Sequence, residues 1–429
     1  MIARTLLEWD HLPFGPDPAN PATIPERLGD RLAAVAKASP LAGPGGEGVL
    51  EHRRRGLRAR GIVGVVVAGG ATLEILPKID ADGGKAGIRR RLVHMLAVAL
   101  DLPVAAGAMA AHDEQNETLL EILIRLFSTR LLEAVRRGMP RRYVRLEEDL
   151  PALRGRLDVA RQFTALAASP QRLACRYDAL SPDIQLNRIM KAAVTRLAHV
   201  ARAADNQRRL AELAFVYADI AGVPAAALRF DEVVLDRTDE RWRALLDLAR
   251  LLLGERFQTT STGAAQGFSL LFEMGALFEA YVARTLARAL AGSGRRVVAQ
   301  GGLRFCLHRD DGGGLFQTRP DILIKRGDSV EQVIDTKWKR IASRIDDAKQ
   351  GVSQADVYQM MAYGQLYQCP RLTLLYPHHD ELGAEPLAVS HRVAVPGGEE
   401  RLELATIDVA KGSRFAERLR ALCAIKEPA

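Results

Sequence analysis

The sequence predicts a multidomain α/β protein: a mixed α+β N-terminal part with a β-hairpin, a helical middle, and a C-terminal α/β sandwich around a mixed sheet. Three observations carry this. The chain has 429 residues, enough for two or three domains. Its hydrophobic period turns helical near Ile88 and changes again after the polar, glycine-bearing stretch Gln258–Gly267. Beyond that stretch the elements run helix, strands, helix, strand, the order of helices packed on a mixed sheet. The expected segments are 1–85, 86–262 and 266–429, with the last holding enough apolar sequence for a core of its own.

In order along the chain, Leu6–Trp9 is a short apolar run and Pro13–Pro21 a proline-rich loop. Ile24–Ala36 has helical spacing in Leu28, Leu32 and Val35, with Pro25 well placed for a first turn. Leu57–Val67 and Thr72–Ile79 flank Gly69-Gly70 and read as a β-hairpin. Arg89–Leu100, Leu119–Arg137, Ile184–Ala201, Arg208–Ala218 and Arg241–Leu253 show helical periodicity, and Leu146–Leu157 is extended. Leu270–Leu290 then reads as one helix. Strands follow at Arg295–Val298, Gly302–Leu307, Gln317–Lys325 and Gln332–Trp338. A helix at Gln354–Tyr367, strands at Arg371–Tyr376, His391–Val395 and Glu403–Ile407, and a helix at Arg414–Ile425 complete the chain.

Composition narrows the function classes. The chain is 48% hydrophobic and 26% charged, ordinary for a globular protein. Four cysteines stand singly, which excludes a disulfide-stapled scaffold and speaks against a zinc ribbon. The N-terminus lacks a basic segment followed by an apolar run, so no signal peptide is expected. The most apolar stretch, Leu92–Ala111, is broken by His94, Asp101 and Pro103, so the expectation is a cytoplasmic protein without a membrane span. The net charge is +8, compatible with a nucleic-acid partner. Arginines gather at Arg53-Arg54-Arg55 with Arg58 and Arg60, at Arg89-Arg90-Arg91, and at Arg136-Arg137 with Arg141-Arg142, each either a basic patch or a solvated face.

The chemistry concentrates near the C-terminus. Pro320-Asp321 enters one apolar strand, and Asp335-Thr336-Lys337 ends the next. A short turn between the strands lets Asp321 and Asp335 converge on one sheet edge, and period-two alternation puts Asp335 and Lys337 on the same face. Two carboxylates there suit Mg²⁺, a hard cation that keeps several waters, with Mn²⁺ as a substitute. The ion would activate a water toward a phosphodiester, and Lys337 would counter the charge growing at phosphorus. The Asp-x-Lys triplet alone is weak, since about one is expected by chance. A second triplet, Asp347-Ala348-Lys349, and a second Pro-Asp, Pro182-Asp183, lie outside apolar strands.

Two flanking features strengthen it. Glu279 is an acid inside the apolar helical segment Leu277–Val282, and a buried acid is costly unless paired or metal-linked. Downstream, Gln359 and Tyr363 share a helix face, as do Gln354 and Tyr358, and spacing does not decide which pair faces the site. His378-His379, adjacent in a loop, read as exposed.

This order of Glu279, Pro320-Asp321, Asp335-x-Lys337 and Gln-x-x-x-Tyr resembles the PD-(D/E)xK nuclease superfamily in its RecB-like variant. More of the chain is similar to the McrC family, the nuclease subunits of McrBC type IV restriction systems. The stretches concerned are 73–79, Leu153–Leu157, Asp183–Lys191, Leu277–Glu279, Arg319–Asp321, Ile334–Lys337 and Asp356–Met360. One departure is Phe272-Glu273-Met274-Gly275, which leaves Glu273 outside the site. The resemblance implies a PD-(D/E)xK sandwich over 266–429 with Asp321, Asp335, Lys337, Glu279, Gln359 and Tyr363 as catalytic residues, Asp321, Asp335 and Glu279 holding Mg²⁺. It implies double-stranded DNA as substrate, a hexameric AAA+ GTPase motor resembling McrB as partner, and self-association only through that complex. Methylcytosine would be read by the motor, and residues 1–85 would couple to it, with the hairpin Leu57–Ile79 as an element suited to enter it. No Walker-type phosphate loop occurs in the chain, consistent with hydrolysis of nucleotide by the partner. The competing reading is a non-catalytic adaptor with a degenerate nuclease fold. Intact Asp321, Asp335 and Lys337, in a chain with only 10 lysines, argue against decay.

Overall fold

The computed structural model describes residues 2–39, 41–42, 49–79, 84–101, 117–236, 239–253, 267–341, 351–394, 400–410 and 412–424. It divides into two compact units, Met1–Leu119 with Thr262–Ala429, and Leu120–Ser261. The architecture is mixed α/β, as the periodicity predicts. In this grouping the N-terminal and C-terminal segments share one unit.

The N-terminal segment contributes β1 (Ile2–Leu7), β2 (His11–Pro13), α1 (Glu26–Lys37), β3 (Leu50–Arg53), β4 (Gly56–Ala59), β5 (Ile62–Ala68), β6 (Ala71–Leu76) and α2 (Gly84–Ala99). The run predicted as one strand, Leu57–Val67, breaks at Arg60-Gly61, where Gly61 adopts a positive φ, so β4 and β5 belong to different sheets. β5 is an almost uninterrupted apolar run, the pattern of a strand covered on both faces. It turns into β6 through Gly69-Gly70, both at positive φ, with Ala68 opposite Ala71.

The second unit begins within α3 (Leu119–Arg136). It continues through β7 (Arg142–Leu150), β8 (Arg156–Leu157), α4 (Val159–Phe163), β9 (Leu173–Ser181), α5 (Gln185–Val200), α6 (Ala204–Val216) and α7 (Glu240–Leu253). β9, which periodicity does not reveal, pairs with both β7 and β8. Trp242 and Tyr217 are fully buried among the helices of this unit.

The chain re-enters the first unit with β10 (Gly267–Glu273), followed by α8 (Met274–Ala289). Here the expectation of one helix over Leu270–Leu290 fails. Residues 267–273 pair antiparallel with β5, completing the four-stranded sheet β1-β6-β5-β10. Buried Phe268 and Leu270 alternate with half-buried Ser269 and Leu271, a strand rhythm that the apolar composition conceals. The expected linker residues 258–266 lie outside the described residues. At Gly64 (φ +135°) a Cβ would sit 1.9 Å from the Leu270 carbonyl oxygen, so only glycine permits this pairing.

Beyond α8 come β11 (Arg296–Ala299), β12 (Phe305–His308), β13 (Gly314–Gln317), β14 (Ile322–Arg326), β15 (Ser329–Thr336), α9 (Gln354–Tyr367), β16 (Arg371–Pro377), β17 (Ala388–Arg392), β18 (Arg401–Ile407) and α10 (Gly412–Cys423). Six of the strands form a mixed sheet in the order β11-β14-β15-β16-β18-β17. β15, β16 and β18 run parallel; the other pairs are antiparallel. α9 packs on β15 and β16, α8 on β11 and β15, and α10 on β18, with α8 and α10 also packed on one another. This is the expected sandwich.

The stretch Leu57–Ile79 is built into the sheets. β5 and β6 have neighbours on both sides, and Val63, Val65, Val66, Leu73, Ile75 and Leu76 are buried. Several arginines of the clusters are likewise engaged within the chain. Arg53 and Arg60 pair with Glu51, and Arg142 pairs with Asp236 and Asp239. Arg89 is buried and holds buried Glu74 through two 2.7 Å hydrogen bonds, while Glu74 also accepts from the Leu119 amide.

Two outcomes follow. Removing one partner of a buried ion pair strands the other charge, so Arg89→Ala should cost about 3–5 kcal/mol, read as a lower urea midpoint. A fragment covering 266–429 leaves β10 without β5 and should not fold alone. The whole chain with 120–261 replaced by a flexible linker should melt cooperatively, because it keeps the entire first unit. Calorimetry of the two proteins checks this.

Candidate active site

The turn between β14 and β15 sets the geometry. Ile322 lies opposite Ile334, so Asp321 and Asp335 meet one step beyond that registered pair. Thr336 fixes Asp321: its amide donates to Asp321 Oδ2 at 2.8 Å and its hydroxyl at 3.0 Å. Asp335 is buried; its Oδ2 receives no well-aligned hydrogen bond but lies 2.6 Å from the Lys337 ammonium. The Lys337 amide donates to the Leu375 carbonyl, holding the end of β15 to the core of the sheet.

α9 supplies the Gln359/Tyr363 pair and not Gln354/Tyr358. The Gln359 side-chain amide donates to the Tyr363 hydroxyl at 2.7 Å and reaches Asp335 Oδ1 at 3.5 Å. Gln354 and Tyr358 bond to each other, with Tyr358 60% exposed. Glu279 projects from α8, half-buried, and Gln300 donates to it.

The electrostatics tie these acids together. Burial pushes the Glu279 carboxyl up to about 7; the Gln300 hydrogen bond opposes this, and the charges of Asp321 and Asp335 add to it. Burial and the Asp321 charge push Asp335 up to about 6, against the pull of Lys337. Burial alone would lower Lys337, but its bond to Asp335 and the surrounding carboxylates hold it above the ordinary lysine value. The three acids and the lysine therefore form one coupled group.

Among the described residues no three His, Cys, Asp or Glu side chains stand in a ready-made metal cage. The donor set is instead two carboxylates and a third acid at its edge, the type that holds a hard cation while water and substrate oxygens complete the shell. Asp335 Oδ2, buried and accompanied by the Lys337 ammonium, fits such an ion.

Sequence reasoning missed Gln300 and Thr336, which orient Glu279 and Asp321, and Arg319, whose charge acts on Glu279. Thr336 and Arg319 are adjacent to motif residues, a usable signal; Gln300 has none. The decoy Asp347-Ala348-Lys349 lies outside the described residues. Asp183 is instead clamped by Arg188. His379, expected to be exposed, is buried and bonds the Ile341 carbonyl. Arg154 stacks on the Tyr177 ring.

The sequence description of McrBC 5-methylcytosine restriction system components matches residues 57–377. The chain belongs to the McrBC family. No curated protein matches it. Among solved structures, it is similar to a chain of the half-complex from a tetradecameric assembly of Thermococcus gammatolerans McrB AAA+ hexamers with bound McrC. That match has a TM-score of 0.72 at 20% identity, covering 98% of this chain and 100% of that one. A chain of the Thermococcus gammatolerans McrBC complex matches with a TM-score of 0.54 at 25% identity, over 67% of this chain and 88% of that one. This McrBC family chain has, among its described residues, no helix long and apolar enough to cross a membrane.

The raised Glu279 carboxyl has a stability consequence with a definite sign. Its folded-state value, about 7, lies above the ordinary 4.5 of an unfolded chain, so ionisation costs stability above pH 7 and nothing below about pH 4.5. In EDTA, Glu279→Gln should match wild type near pH 4.5. Its advantage should grow through pH 5–7 and level off at about 1–2 kcal/mol, after solvent screening, by pH 8. Denaturant melts across this range check it.

Proposed function

We propose that this chain is the Mg²⁺-dependent endonuclease subunit of an McrBC-type restriction complex, cutting double-stranded DNA under the control of an AAA+ GTPase motor. The observation that carries this reading is the convergence of Asp321 and Asp335 at one sheet edge, with Lys337 Nζ 2.6 Å from Asp335 and the Glu279 carboxyl coupled to both. One similar structure holds McrB AAA+ hexamers with bound McrC and the other is an McrBC complex; a motor of that kind is the partner proposed here. Mn²⁺ would substitute for Mg²⁺.

Asp321, Asp335 and Glu279 would hold the ion. When bound, it supplies Lewis acidity toward the phosphoryl group and makes water more acidic. The chain's own residues do the rest. Thr336 occupies one oxygen of Asp321 and so turns the other toward the site. Gln359, held to Tyr363, fixes Asp335 from the α9 side. Lys337 remains protonated beside Asp335 and places a positive charge where negative charge grows on the phosphate.

Asp321→Ala, Asp335→Ala and Lys337→Ala should each lower cleavage by about 10² or more. Motor binding and stimulation of GTP turnover should persist in all three. A nicking assay with Mg²⁺, motor and GTP, run beside a turnover assay, measures both. If Asp335→Ala cuts as fast as wild type, the site assignment fails; if the wild-type chain with Mg²⁺, motor and GTP does not cut at all, the chain is an adaptor.

A further inference from the structure

Outside the residues assigned so far, the first unit holds one buried acid that neither the fold nor the proposed chemistry accounts for. Glu8 follows β1 and is 1% exposed. Its Oε1 accepts two hydrogen bonds, from the Lys78 amide at 2.9 Å and from the Trp338 indole N–H at 2.7 Å. Its Oε2 is buried without a hydrogen-bond partner. A carboxylate in such a place carries a substantial desolvation cost. A glutamine oxygen could accept the same two N–H groups.

What Glu8 holds lies at the heart of the site. Trp338 directly follows Lys337. Its ring packs on Phe278, centroids 5.2 Å apart, and Phe278 directly precedes Glu279. Phe278 is fully buried and has little room to shift. One indole therefore braces the chain at two places, next to the lysine at the end of β15 and next to the acid on α8. Its N–H is tied to a residue 330 positions earlier in sequence, at the end of the N-terminal sheet.

We infer that Glu8 is a positioning residue for the reaction: its carboxylate fixes the Trp338 indole, and through it the spacing of Lys337 and Glu279. The inference rests on the nuclease reading above. A hydrogen bond to a carboxylate is short and directional, so it holds the ring's rotation as well as its location. Packing on Phe278 alone would leave the indole free to slide in its plane. Loss of the tie shifts the backbone beside two groups that must act together, Lys337 at the phosphate and Glu279 at the ion, and displacements on an ångström scale are costly in rate.

The test uses the full chain with its motor, GTP, Mg²⁺ and DNA. Trp338→Phe keeps an aromatic ring beside Phe278 and removes the N–H together with the pyrrole part of the indole, so the Glu8 variants isolate the hydrogen bond. Glu8→Ala removes the acceptor, and Glu8→Gln restores an uncharged one. Trp338→Phe and Glu8→Ala should each lower kcat about tenfold with KM for DNA unchanged. The double variant should be no slower than Trp338→Phe, and Glu8→Gln should recover most of the rate. In ¹⁵N spectra the indole signal absent from Trp338→Phe should move in Glu8→Ala and return near its wild-type position in Glu8→Gln. Should Glu8→Ala fail to fold, Trp338→Phe with Glu8→Gln still decides the matter.

Wild-type cleavage by folded Trp338→Phe, or additive losses in the double variant, would overturn the positioning role. An indole signal unmoved in folded Glu8→Ala would do the same. Asp335→Ala separates the two readings. If it is inactive while Trp338→Phe cuts normally, only the positioning role is lost; if it is fully active, the assignment of the site falls and the positioning role with it.

Discussion

The antiparallel pairing of β5 with β10 is the constraint on which the rest of the first unit depends. It joins residues 62–68 to residues 267–273, closing a loop of about two hundred residues, and the entropy of that closure must be met by the contacts it creates. Those contacts are two apolar strands in full register, with the Met274 amide continuing the ladder onto the Gly61 carbonyl. Because α8 starts where β10 ends, the pairing also sets where Glu279 emerges. The absence of a side chain at Gly64 is what allows the backbones to approach this closely. The N-terminal sheet is thus part of the frame of the half that carries Glu279, Asp321, Asp335 and Lys337.

The site is built at a cost to the fold. Two strand-end carboxylates, a half-buried helical acid and a lysine share a small, poorly solvated space, and two of the acids are pushed well above their ordinary values. Like charges at close quarters favour a bound cation over the empty arrangement, and strain of this kind belongs where function requires it. Hydrogen bonds from Thr336, Gln300 and Gln359 keep the acids aimed inward. These donors come from β15, the β11–β12 connection and α9, so three separate elements must be in place before the acids converge.

Charge shows the same dependence on context. A net charge of +8 is compatible with nucleic acid, yet several arginines of the runs visible in the sequence are paired within the chain. Arg89 braces Glu74 inside the fold, Arg142 bridges two aspartates, and Arg53 and Arg60 converge on Glu51. Arg319, which stands alone in the sequence, is the arginine whose charge reaches the acids of the site. A cluster along the chain marks composition; an electrostatic role requires the partners that folding supplies.

The sequence by itself determined the local facts. Alternation in β14 and β15 put Asp335 and Lys337 on one face, and a short turn made Asp321 meet Asp335. Helical spacing gave α9 its observed limits and placed Gln359 with Tyr363. The order of these motifs with Glu279 pointed to the family that the sequence description matches. Only the tertiary structure decided which Gln/Tyr pair turns inward, that residues 267–273 are strand, that the two ends of the chain form one unit, and that Glu8 holds Trp338. The division has a physical cause. Periodicity encodes which face of an element is apolar, because that depends on the next few residues. The identity of the element that covers the face is set by packing and hydrogen bonds between segments far apart in sequence, which no local pattern records.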